Sequence, residues 1–129
     1  MADPTVYGVP ATPLGLTLEG EGSTGLQTIL DVPSGNGMVI GRLRATSSAT
    51  GDATLQFVAT VNGEDRVIAE APVPLGAGTD GSSSYVDLLS NLNAGLAYQV
   101  GVGETIRVKA KTAVSGGNVY ITGIAVPLA

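Results

Sequence analysis

Clusters of turn-forming residues divide this chain into short segments in which apolar and polar side chains alternate. The 129 residues include 19 glycines and seven prolines, several of them in clusters such as residues 33–37. Alternation with a period of two places one face of a strand in a core and the other in solvent, and the clusters supply turns. Turn signals about every 8–12 residues are typical of sandwiches and barrels. The sequence therefore predicts an all-β fold, an antiparallel, jelly-roll-like β-sandwich.

Two segments show the alternation most clearly, residues 53–61 and residues 104–112. Asn62 and Gly63 follow the first segment and predict a type I′ hairpin turn, which requires positive φ at both central residues. Residues 66–71 are expected to pair back on it. Apolar residues in the segment 85–92 have helical spacing, so a short helix and a strand both remain open there. Further strands are predicted at residues 26–32, 38–47 and 119–126.

Residues 1–25 differ in composition from the rest of the chain, because they contain three of its seven prolines. Proline at this density favours an extended chain without ladder hydrogen bonds. We expect an extended N-terminal arm over residues 1–25 and a β-sandwich domain over residues 26–129. The arm is predicted to dock on a neighbouring subunit, and a mobile terminus is the alternative. The apolar residues expected to make this interface are Val6, Tyr7, Val9, Leu14, Leu16 and Leu18.

The composition argues against enzymatic function. The chain contains no histidine and no cysteine, which removes the commonest general base and the usual nitrogen and sulfur ligands of metals. Glu64 and Asp65 form an acidic pair at a predicted hairpin tip, where solvated charges are expected; a hydrolase using only carboxylates is the alternative. Gly101 and Gly103 lead into a strand rather than a helix, which is not the arrangement of a phosphate-binding loop. We predict a non-enzymatic protein without catalytic residues, metal or cofactor.

Five of the six basic residues lie on two predicted strands. Arg42 and Arg44 share a face of one strand, and Arg107, Lys109 and Lys111 share a face of another. We predict these five residues as a candidate electrostatic docking face for an acidic protein surface, and a solvated outer face is the alternative. The net charge of −5 argues against nucleic acid as a partner. No apolar run approaches the roughly 20 residues of a membrane helix, so no membrane partner is expected.

Four segments follow one another in a characteristic order: residues 29–35 (ILDVPSG), 85–89 (YVDLL), 100–110 (VGVGETIRVKA) and 112–123 (TAVSGGNVYITG). Each is ordinary β-sandwich sequence when taken alone, and the order carries the likeness. Together they resemble the small β-sandwich virion proteins of tailed bacteriophages. The resemblance spans about residues 26–126 and does not include the predicted arm.

This resemblance implies a capsid decoration, or cement, protein that stabilises a phage head by bridging capsomers on its outer surface. Such proteins often form trimers, so it implies a homotrimer whose partner is the major capsid protein. It also implies a location on the virion after synthesis in the host cytoplasm. Tail and head-to-tail proteins share the sandwich, so those positions remain alternatives. A receptor-binding or glycan-binding module of the virion is a further alternative.

Overall fold

The computed structural model describes residues 12–79 and 84–128. A short 3-10 helix, Gly20–Thr24, joins the first two strands. None of the helices in the described ranges is long and apolar enough to cross a membrane. The other described elements are, in order, β1 (Thr12–Glu19), β2 (Gln27–Asp31), β3 (Met38–Ser47), β4 (Ala53–Val61), β5 (Glu64–Val73), β6 (Val86–Asp87), α1 (Leu89–Asn93), β7 (Tyr98–Val100), β8 (Glu104–Ala110) and β9 (Asn118–Pro127).

The strands form two antiparallel sheets that pack face to face. Sheet A has the order β1–β9–β3–β6, and β7 also pairs with β3; sheet B has the order β2–β8–β4–β5. The central strands are therefore β9 and β3 in sheet A and β8 and β4 in sheet B. The predicted antiparallel β-sandwich is confirmed.

One hydrophobic core fills the space between the inner faces of the sheets. Phe57 from β4 is fully buried there together with Ile106 from β8 and Leu43 from β3. Burying a side chain of this size stabilises the fold by about 1.5–3 kcal/mol. The inward positions predicted for residues 53–61 are buried up to Ala59. The last inward position, Val61, is instead 43% exposed because it lies at the end of β4, next to the hairpin.

Helix α1 closes the open side of the sandwich between the two sheets. It packs on β5, β3 and β7. The buried Leu88 precedes it and donates its backbone N–H to the carbonyl of Leu43, and the Asn91 side chain donates to the carbonyl of Glu70. Both readings of the segment 85–92 therefore apply in part, since strand β6 is followed directly by a helix.

The hairpin between β4 and β5 has the predicted geometry, with φ of 54° at Asn62 and 78° at Gly63. Strand β5 is longer than the predicted segment 66–71, and it continues through Pro72 to Val73. Proline is tolerated here because β5 is an edge strand, where no further strand needs its missing N–H.

The N-terminal part of the fold differs from the prediction. Residues 12–19 are strand β1, which pairs with β9 along its full length. In the following 3-10 helix, Ser23 is buried and its hydroxyl accepts a hydrogen bond from the backbone N–H of Val114. An arm ending at residue 25 is therefore wrong for residues 12–25, which belong to the sandwich. The prolines did not exclude a strand, because Pro13 lies on the edge strand β1, where proline is compatible with a sheet.

Candidate functional site

The predicted arm interface is divided by the structure. Its residues at positions 6, 7 and 9 lie outside the described ranges. Leu14 and Leu18 are buried in the core of their own chain, and Leu16 is partly buried against it. An interface role is therefore wrong for Leu14 and Leu18, because β1 alternates with a period of two and turns these side chains into the core between the two sheets.

The predicted docking face is also divided, because its five basic residues lie on opposite outer surfaces. Arg42 and Arg44 are on β3 in sheet A, whereas Arg107 and Lys109 are on β8 in sheet B, followed by Lys111 just past its end. The thickness of the sandwich separates the two groups. A single docking face made of all five is therefore wrong, and the two outer surfaces have to be considered one at a time.

We define face A as the outer surface of sheet A. The registers of β1, β9 and β3 place its side chains in rows across the strands. Tyr85 and Asp87 lie along the β6 side, and Glu19 and Asn118 lie at one end. Its remaining side chains are those of Pro13, Thr17, Val39, Arg42, Arg44, Thr46, Tyr120, Thr122, Ile124 and Val126, with Gly15 on β1.

Arg44 is held in place at the centre of face A. Its guanidinium lies over the ring of Tyr85, 4.5 Å from the centroid, and this ring is 45% exposed. Such an exposed cation–π contact is worth about 0.5–1 kcal/mol. Asp87, across from Arg44 on β6, accepts a hydrogen bond of 3.1 Å from the backbone N–H of Leu89 at the start of α1. Face A therefore contains a positioned cation beside a partly exposed aromatic ring.

Tyr120 is fixed on the same face by hydrogen bonds. The Asn118 side chain donates to its hydroxyl oxygen at 3.3 Å. Hydrogen bonds with Ser48 and Asn118 lower the pKa of the Tyr120 hydroxyl, and these effects exceed the opposing effects of burial and of Glu19. The outward side of β9 is thus apolar and aromatic at Tyr120, Ile124 and Val126, which are all half-buried.

We define face B as the outer surface of sheet B. Several of its polar side chains bind one another. Glu70 accepts a hydrogen bond of 2.9 Å from Gln56 and forms a 3.3 Å ion pair with Lys111, and these contacts lower the pKa of its carboxyl group. Face B consists of Thr28, Asp31, Thr54, Gln56, Val58, Thr60, Asp65, Val67, Glu70, Thr105, Arg107, Lys109 and Lys111.

Arg107 has a packing role on face B. It lies directly across from Val58, which is only 4% exposed although it points outward. The Nε atom of Arg107 is buried and has no hydrogen-bond partner among the described residues. The aliphatic part of Arg107 therefore covers Val58, which is a structural use of a long basic side chain.

The acidic pair at the hairpin tip has local partners. Glu64 forms a 2.9 Å ion pair with Arg66, and Asp65 accepts a hydrogen bond of 2.6 Å from the Thr60 hydroxyl. Across residues 12–79 and 84–128, no group of three or more acidic residues is placed to hold a metal ion, and no pocket is enclosed. The surfaces to be explained are therefore faces A and B.

No protein-family model and no curated protein matches the chain. Among solved structures, the Drosophila NLP core, described for pentamer formation and histone binding, matches with a TM-score of 0.51 and 15% identity over 90% of this chain and 96% of that chain. A Clostridium thermocellum xylanase 10B structure (CBM22-1 and GH10 modules with xylohexaose) has a TM-score of 0.51 and 11% identity, covering 95% of this chain but 25% of that chain. Both likenesses show a shared sandwich fold.

The capsid asymmetric unit of cyanophage Pam1 matches with a TM-score of 0.49 and 14% identity, over 93% of this chain and 86% of that chain.

Proposed function

We propose that this chain is a structural protein of a tailed-bacteriophage virion, and specifically a decoration protein on the outside of the head. In this role homotrimers bind the major capsid protein and bridge neighbouring capsomers. The role requires protein–protein contacts alone, without an enzymatic step, cofactor, nucleic acid or membrane.

The main support for the proposal is where the segments that resemble phage virion proteins lie in the fold. Residues 100–110 contain β8, which pairs with both β2 and β4 in the centre of sheet B. Residues 112–123 lead into β9, which pairs with both β1 and β3 in sheet A. The resemblance to virion proteins thus concerns the strands that organise both sheets. This supports a shared architecture rather than a shared surface motif.

Face A supports a role in binding other proteins. Aromatic residues and arginine are enriched in protein interfaces, whereas lysine and the acidic residues are depleted there. The Drosophila NLP core is described as pentameric, and its likeness supports the compatibility of this sandwich with a cyclic assembly. Many copies on one shell would reinforce weak individual contacts through multivalency.

Immunogold electron microscopy of the phage that encodes this chain tests the proposal, using an antibody raised against the purified protein. Gold on the heads is the expected result. Gold on the tail would replace the decoration role with the tail or head-to-tail alternative. Unlabelled particles, together with selective binding on a glycan array, would contradict a shell-stabilising role and favour a glycan-binding module.

A loss-of-protein experiment gives the second readout. Heads assembled without this chain are expected to lose integrity at a lower temperature than complete heads, and the purified protein should restore them. Equal stability of the two kinds of head would contradict a cement function even if the protein is present on the virion.

A further inference from the structure

Strand β5 carries charge that is complementary to that of strand β3, the part of face A that contains Arg42 and Arg44. Strand β3 contributes two arginines and no carboxylate, whereas β5 contains three carboxylates and one arginine. Arg42 and Arg44 lie two residues apart on the same side of β3, about 7 Å from each other along the strand. Guanidinium groups bind carboxylates with paired hydrogen bonds, so two neighbouring arginines suit a strand with spaced acidic residues.

The exposed side of β5 combines acidic residues with an apolar one. Asp65, Val67 and Glu70 lie opposite outward residues of β4, and an irregularity at Ile68 brings Glu70 onto the same side as Val67. Val67 is 58% exposed, so an apolar side chain stands in solvent between the two carboxylates. The hydrogen bonds from Gln56 and Lys111 favour the ionised form of Glu70. We call these three side chains the β5 edge.

Face A has the matching composition. Arg42 and Arg44 stand beside the half-buried Ile124 and Val126 of β9. The ring of Tyr85 restricts the position of Arg44, which reduces the entropy lost when that side chain binds a partner. An apolar contact flanked by charge pairs is the arrangement that gives both affinity and a defined orientation.

We propose that face A of one copy binds the β5 edge of a second copy, with Arg42 and Arg44 opposite Asp65 and Glu70 and with Val67 against Ile124. The inference rests on the self-association in the proposed function and names the two surfaces that make it. The surfaces belong to different sheets, so each copy uses face A for one neighbour and the β5 edge for the other. A head-to-tail contact of this kind closes into a ring when its rotation allows.

Pairing of face A with itself is less favourable. A two-fold axis across the strands would bring Arg42 of one copy against Arg44 of the other, and like charges placed opposite each other are destabilising. The charge pattern therefore favours two different surfaces over a symmetric contact.

Mixing two variants tests this contact. Arg42→Glu damages face A and leaves the β5 edge intact, whereas Asp65→Lys does the reverse. Light scattering behind a sizing column should give the single-chain mass for each variant alone and a two-chain complex for their 1:1 mixture. Matched charge reversals elsewhere, Lys109→Glu on β8 and Glu21→Lys in the 3-10 helix, should keep the wild-type mass. Circular dichroism checks that all four variants are folded.

Two outcomes would overturn the inference. One is a single-chain mass for the wild-type protein at every concentration. The other is a mixture of the two variants that stays at the single-chain mass, since head-to-tail binding requires only one intact surface on each partner. A monomeric wild type with labelled phage heads would reject this contact and leave the proposed function standing. A ring together with unlabelled virions would reject the function and leave the contact standing.

Discussion

The two outer surfaces of the sandwich have the same backbone architecture and different side-chain chemistry. On face B, polar groups bind neighbours on the same surface, as Gln56 and Lys111 both do with Glu70. On face A, the outward residues of β9 are Tyr120, Ile124 and Val126 beside two arginines. The exposed Val67 of face B lies with Asp65 and Glu70 on β5, so the contact proposed above uses this edge of face B rather than its centre. Charge alone is therefore a poor guide to which surface binds a second protein, since both faces carry basic residues.

Face A as defined above includes β1, so β1 must be an integral part of sheet A. Leu18→Ala tests this, and we expect it to change the free energy of unfolding more than any other variant considered below. Leu18 is fully buried, so the truncation should lower the free energy of unfolding by about 2–5 kcal/mol. Urea denaturation measures the change, and Thr17→Ala, at the adjacent outward position, is the control. An unchanged stability with loss of assembly would instead restore the view of residues 12–19 as an intermolecular arm.

Sheet A, which carries face A, also depends on close contact between β9 and β3. Gly123 is buried, and a Cβ there would overlap the carbonyl oxygen of Arg42. We expect Gly123→Ala to lower the free energy of unfolding by about 1–3 kcal/mol through overpacking. Gly15→Ala on β1 is the matched control, because a Cβ at that position meets nothing within 4 Å. Equal stability of the two variants in urea would mean that β9 and β3 are not held this closely.

The positioning of Arg44 by Tyr85 is a smaller effect. A double-mutant cycle with Arg44→Gln and Tyr85→Leu should give a coupling free energy of about 0.5–1 kcal/mol by urea denaturation. The same cycle on face B, with Lys109→Gln and Thr28→Val, should give a coupling close to zero. A zero value for the first pair would remove the argument that face A holds a preorganised cation.

The smallest expected effect is that of the contacts that Glu70 makes with Gln56 and Lys111 within face B. The pKa of Glu70 is lower in the folded protein than its ordinary value because of Gln56 and Lys111, so its ionised form stabilises the fold. This contribution is fully present above the ordinary carboxyl pKa and is lost as the pH falls through the lowered value. Wild type should therefore exceed Glu70→Gln in stability at neutral pH, and the difference should vanish in acid. A difference that persists below both pKa values would mean that it has another cause.

Local patterns in the sequence predicted which segments form strands, but they did not predict which strands lie side by side in a sheet. The alternation in residues 53–61 and 104–112 corresponds to β4 and β8, and Asn62–Gly63 to the turn, because these features depend on adjacent residues. Which sheet a strand joins depends on pairing between distant segments, such as β3 with β9. The sequence alone therefore groups the basic residues of β3 and β8 on one docking face, although in the structure they lie on opposite faces.

The sequence of β9 indicates face A through apolar residues at outward positions, a feature that alternation with a period of two does not explain. Residues 119–126 are apolar inward at Val119 and Ile121, and their outward side carries Tyr120, Ile124 and Val126 with the polar Thr122 between them. A central strand with one face in solvent should be polar on its outward side. Three half-buried apolar or aromatic side chains on the outward side of a sandwich strand therefore mark a candidate binding surface, and the strands beside it are known only once the fold is known.

Thiol labelling measures most directly whether face A is covered in the assembled protein while the β2 side of face B, at the far edge of sheet B from β5, is in solvent. The chain contains no cysteine, so Thr122→Cys on face A and Thr28→Cys on face B each introduce a single thiol at an exposed position of the same residue type. Slow maleimide labelling at position 122, fast labelling at position 28, and equal rates once Arg42→Glu is added would agree with the account. Fast labelling at both positions in the wild-type background would contradict it.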